Sequence, residues 1–138
     1  MKRVLLLILI IATTSFIANA NINESRAKKF VTQFLKEMIA HKDNDGLKKY
    51  ISPAYLKENN LDISKYNINT YYPVDFDIIG FDKEPCIVFA KIWGKDRGWV
   101  HKLGFKVVTE DKKLFLYPGQ HSDDYIHPWY TVESYITE

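Results

Sequence analysis

The sequence predicts an α+β domain in which N-terminal helices pack on one face of a curved antiparallel meander sheet. Two observations predict it. Apolar residues recur at spacings of three and four between Ala27 and Ile39, and from Pro73 onward the repeat changes to two. Helices gathered first and strands afterwards, joined by short turns, define α+β rather than alternating βαβ units.

Ala27, Phe30, Val31, Phe34, Leu35, Met38 and Ile39 share one helical face, and Arg26, Lys28, Lys29, Lys36 and Glu37 cover the wet side. Asn21 or Asn23 can cap the start. A break follows at residues 41–45, then a short helix carrying Leu47, Tyr50 and Ile51. Ser52-Pro53 opens a third helix that should run to about Asn59, with the hydroxyl as cap and proline at the first helical position.

Val74, Phe76 and Ile78 alternate with Asp75 and Asp77, the pattern of a half-buried strand. Residues 87–93 are apolar on both faces apart from Lys91, as a central strand would be. In the next strand Trp99, His101, Leu103, Phe105 and Val107 share one face, and Val100, Lys102, Lys106 and Val108 the other. Residues 114–117 form a fourth strand and 129–136 a fifth. The links at 82–85, 95–98 and 110–113 are short enough for hairpins between antiparallel neighbours.

Residues 1–20 read as a secretory signal. Lys2 and Arg3 precede an unbroken apolar run from Val4 to Ile11, and Ala18-Asn19-Ala20 supplies the small-x-small pattern that signal peptidase accepts. The run is too short for a permanent membrane span. The residue directly after the cleavage position is Asn21 rather than cysteine, which argues against a lipid anchor. The expected product is a single domain over residues 21–138, exported to the periplasm or outside the cell, with no stable membrane anchor. The signal holds two of the 19 basic residues and none of the 17 acidic ones, so the remainder carries 17 of each. That balance gives no reason to expect nucleic-acid binding. The single cysteine, Cys86, excludes an internal disulfide, and its apolar surroundings suit a buried structural thiol.

The order of elements resembles the nuclear-transport-factor-two-like superfamily, the cystatin-like cone fold. The residues that carry the resemblance are the Phe30–Ile39 helix face, Leu47-Lys48-Lys49-Tyr50-Ile51-Ser52-Pro53, and the meander from Val74 to Tyr117. The resemblance implies a cone between sheet and helices that can hold a small molecule. Its members include isomerases, cyclases, dehydratases and transport adaptors, so the fold alone does not assign an activity. The carboxylate and tyrosine of the steroid-isomerase members match no position here, and no catalytic residue carries over.

Four residues are candidates for lining a ligand site: Trp99 and His101, which share the inward face, with Trp93 and Tyr117 as neighbours. His101 could act as a base or orient a ligand; the plainer alternative is a core histidine satisfied by a carbonyl or a tyrosine hydroxyl. Asp75 and Asp77 could be an acid–base pair, but their alternation with apolar residues fits a solvated face better. His121, Asp123, Asp124 and His127 are ligand-type side chains, yet their spacing matches no zinc motif, and a polar surface loop accounts for them. Exposed members of the pairs Tyr71-Tyr72 and Trp129-Tyr130 could stack on sugar rings or meet a protein, though packing in a small curved sheet also explains them.

The chain has no glycine-rich phosphate loop, serine elbow, Cys-x-x-Cys pair or metalloprotease helix. A cofactor enzyme or hydrolase is therefore not expected, and no cofactor or metal is assigned. The leading expectation is an exported binding module for a small molecule or a protein partner. The alternatives are a cone-pocket enzyme of isomerase or hydro-lyase type with His101 as base, and an inhibitor or immunity-type protein acting by surface contact. The sequence does not fix an oligomeric state.

Overall fold

In a computed structural model, which describes residues 22–41, 44–68, 73–94 and 98–136, the 3.6-residue stripe becomes helix α1, Glu24–His41. The signal segment, Tyr71-Tyr72 and most of the 95–98 turn lie outside the described residues. Asn23 caps α1, its Oδ1 accepting from the Arg26 amide at 2.7 Å. Ala27, Val31, Phe34, Leu35 and Met38 are buried, as their spacing requires, and the Phe34 ring meets Phe105 edge-on at 5.9 Å between centroids.

A short helix α2 (Asn44–Leu47) and a 3₁₀ turn (Lys48–Tyr50) follow, and Tyr50 packs against Phe30 and Phe34. Helix α3 (Pro53–Glu58) begins as Ser52-Pro53 dictates: the Ser52 hydroxyl accepts from the Tyr55 amide at 3.1 Å. It ends in a Schellman motif. Asn60 takes the left-handed conformation, and the amides of Leu61 and Asn60 donate to the carbonyls of Leu56 and Lys57. Leu56 and Leu61 both pack on the core there.

The strands are β1 (Asn67–Ile68), β2 (Asp75–Asp82), β3 (Ile87–Trp93), β4 (Trp99–Glu110), β5 (Lys113–Tyr117), β6 (Gln120–His121), β7 (Tyr125–His127) and β8 (Tyr130–Ile136). β2, β3, β4 and β5 form an antiparallel meander, and β3 is central in it. The chain is α+β with a large antiparallel sheet. One face of that sheet is the core side: Phe76, Ile78 and Phe81 on β2, Val88, Ala90 and Ile92 on β3, and Leu103, Phe105 and Val107 on β4. In β2 the register shifts between Ile78 and Gly80, so Ile79 is a bulged, exposed residue. That extra residue lets Phe81, rather than Gly80, rejoin the inward face.

The sheet is more than a simple meander. β4 has twelve residues, enough for two partners along the edge opposite β3. β5 pairs with Lys106–Glu110 and β8 with Trp99–Gly104, both antiparallel. β5 and β8 therefore run in the same direction, end to end, as if one strand had been interrupted. Residues 118–129 are the interruption. They leave the strand line, form the β6–β7 hairpin, and pair with β1 in a separate small sheet. The polar loop expected at 121–127 is thus a two-stranded ribbon. Buried Ile126, paired with Ile68 of β1, anchors it to the body of the domain.

Candidate functional site

Where a strand is interrupted, its two ends leave a gap, and the side chains beside the gap are fixed by the flanking ladder. Tyr117, the last residue of β5, lies opposite Lys106, and Tyr130, the first of β8, lies opposite Gly104. Positions 104 and 106 share the face of β4 away from the core, so the two tyrosines flank the gap on that outer face. Gly119 lets the chain close on itself there: a Cβ at this position would overlap the Trp129 carbonyl. Its amide donates to the His127 carbonyl at 3.0 Å. A cavity of about 240 Å³ opens beside this crossing, lined by Gly119, Gln120, His127, Trp129, Tyr130 and Thr131.

A polar aromatic cluster adjoins the cavity. The Tyr55 hydroxyl, on α3, lies 2.7 Å from His121 Nδ1. The Tyr117 hydroxyl donates to Glu58 Oε2 at 2.6 Å, while its ring packs edge-on against Tyr55 and lies under the Lys106 ammonium. The bond to Glu58, with help from burial, pushes the Tyr117 phenol up to about 12. Burial raises Tyr55, as does the nearby Tyr130, and burial raises Tyr130 itself. All three phenols therefore stay protonated at neutral pH and can donate. The Tyr55 hydroxyl can donate to Nδ1 of one His121 tautomer and accept from Nδ1–H of the other. Burial first, and then the neighbouring His121, push the pKa of His127 down, so that imidazole is uncharged at neutral pH.

The four candidates from the sequence do not converge. Trp99 and His101 do share a face and touch, with ring centroids 4.5 Å apart, and the Trp99 indole occupies the space a side chain at Gly94 would need. Both are half-buried, and burial lowers the His101 pKa. Ile92, opposite His101, points to the core, whereas Trp93 pairs with Val100 and so occupies the other face of β3. Tyr117 also takes that outer face, beside the gap.

Asp77 is exposed and pairs across strands with Lys91, which in turn pairs with Lys102, giving a row of outward charges. Cys86 is a buried free thiol whose pKa burial pushes up. Among the described residues no three His, Cys, Asp or Glu side chains gather as a metal site, and no helix is long and apolar enough to cross a membrane.

Tyr55, Gln120, Thr131 and the role of Tyr130 beside a cavity were not found by reading the sequence. The available signal was weak: His121, His127 and Tyr130 stood in segments rich in polar and aromatic side chains, but their partner Tyr55 lies 66 positions before His121. Comparison of the chain with protein-family models, with curated proteins and with solved structures gave no match.

Proposed function

We propose that the chain is an exported binding module that takes a small molecule in the cavity beside Tyr130. The single observation that carries this reading is the excursion of residues 118–129 from an otherwise continuous strand line. It leaves a cavity lined by Gly119, Gln120, His127, Trp129, Tyr130 and Thr131 where the two strands meet the edge of β4. Ligand sites commonly arise this way, as irregular segments held by a regular scaffold. The basic start, apolar run and Ala18-Asn19-Ala20 support export. Bulges at Ile79 and at Val132 would bend their strands, which supports a curved, cone-like sheet covered by α1.

The test is a fragment screen by ligand-detected NMR on the wild type and on Thr131→Trp, which places a large ring in the cavity mouth from an exposed position. Fragments that bind the wild type should lose their signal with the folded variant. Equal binding to both would move the site away from this cavity. Export is tested by recovering the protein outside the cytoplasm and finding Asn21 at its N-terminus by mass spectrometry. Full-length chain confined to the cytoplasm would refute that part.

A further inference from the structure

We propose that the outer face of β2, β3 and β4 is the contact surface for a second copy of this chain, packed face to face about a two-fold axis that runs along β3. The surface is separate from the cavity beside Tyr130, which lies one strand beyond β4, and it stands or falls without that cavity. Register is the first argument. Three rows cross these strands on the side away from the core: Asp77, Lys91 and Lys102; Gly80, Phe89 and Gly104; Asp82, Ile87 and Lys106. In each row the β2 and β4 residues lie about 4.8 Å to either side of β3. Exchanging left for right about β3 therefore carries acid to base twice, Asp77 to Lys102 and Asp82 to Lys106, and glycine to glycine once.

A two-fold axis performs that exchange. Turning a second copy over about β3 lays its β2 above β4 of the first and keeps every row at its own height, the self-complementary arrangement of a symmetric dimer. Asp77 of each copy then faces Lys102 of the other, and Asp82 faces Lys106. Asp77 and Asp82 are exposed, and the ion pairs among the described residues use neither of them, nor Lys102. The middle row is the second argument. The Phe89 ring lies low across the sheet: its Cδ2 is 3.6 Å from where a Cβ on Gly80 would stand, and its Cε1 is 3.4 Å from that of Gly104. No side chain rises beside it in that row, so two such faces can approach closely. Ile87 and Phe89 thus form an apolar centre on the axis with opposite charges at its sides, the anatomy of a protein interface. A sheet face left to water would carry polar residues there. Lys91 also stands on the axis, where two like charges meet and limit affinity. With a contact only three strands wide, the dimer belongs at the small end of specific interfaces and should dissociate on dilution.

The experiment is sedimentation equilibrium of the protein over a wide range of concentration, with circular dichroism to confirm that each variant folds. The wild type should show a reversible monomer–dimer equilibrium. Asp77→Lys and Lys102→Asp should each weaken self-association about tenfold or more, because each sets two like-charged pairs across the interface. An equimolar mixture of the two variants should associate as the wild type does, since in the mixed dimer both pairs are again of opposite charge. Rescue between two chains is a result that a role within one chain would not give. Lys91→Met should tighten the dimer several-fold by removing the like charges on the axis. Should Asp77→Lys fail to fold, Asp82→Lys mixed with Lys106→Asp makes the same test one row pair away. A monomer at every concentration would overturn the proposal. So would a dimer indifferent to the single charge changes, a mixture that stays dissociated, or a dimer weakened by Lys91→Met.

Discussion

The Tyr55 hydroxyl and His121 Nδ1 are 2.7 Å apart, joining helix α3 to a hairpin 66 residues later. Removing only the hydroxyl tests what the contact contributes. Tyr55→Phe keeps the ring packed edge-on against Tyr117 and should cost about 0.5–1.5 kcal/mol in urea unfolding, the net value of one hydrogen bond. In that background His121→Ala should add less than about 0.5 kcal/mol, because the two residues act as a pair. Additive losses would show that they contribute independently.

A second long-range tie holds the start of the same helix. The Ser52 hydroxyl donates to Glu110 Oε2 at 2.5 Å, and Glu110 Oε1 accepts from the Ala54 amide at 2.8 Å. A carboxylate from the end of β4 thus satisfies a free amide in the first turn of α3. Glu110→Ala would strand the fully buried Ser52 hydroxyl and should cost about 2–3 kcal/mol. Glu110→Gln can accept from Ala54 and donate to Ser52, so its loss should stay near 1 kcal/mol or less. Equal losses for the two variants would mean that the hydrogen bonds are not what Glu110 contributes.

Phe34 is fully buried and stands at the junction of α1, Tyr50 and Phe105. Phe34→Ala should cost about 3–5 kcal/mol, lost transfer energy plus the cavity left behind. With no disulfide in the chain, such a loss is a large share of a typical domain's stability. A change below about 1 kcal/mol in equilibrium unfolding would show that α1 is peripheral to the sheet.

These tests separate what was legible in the sequence from what was not. Helix α1 was readable because seven apolar positions at one period admit one orientation, and the start of α3 because Ser-Pro is a local signal. The inward face of β4 was readable at Leu103, Phe105 and Val107, since Lys102 and Lys106 mark the opposite side. Trp93 was not. β3 is apolar on both faces, so its alternation has no phase until the register places Val88, Ala90 and Ile92 inside. The site was hidden for a different reason. It depends on β8 resuming beside β4 where β5 stops, and on contacts such as Tyr55 with His121 that no local period encodes.

Two half-buried histidines give the fold a pH dependence whose sign can be worked out. Burial lowers the pKa of His101 from its ordinary 6.5, and burial together with His121 lowers that of His127 from the same value. Below about 6.5 the unfolded chain therefore binds protons that the folded chain resists, and stability falls as acid is added. The contribution is complete above the unfolded value and is lost as the pH drops through the folded values. Asp62, held low by hydrogen bonds from Ser64, acts in a lower window, because its ordinary value is 3.8. Urea unfolding at pH 8, 7, 6 and 5 should thus show a plateau in the histidine contribution down to about 6.5, then a decline. The wild-type decline should exceed that of His101→Asn and of His127→Asn, and should be smallest in the double variant. A double variant that loses as much stability between pH 7 and 5 as the wild type would place the acid sensitivity in other groups.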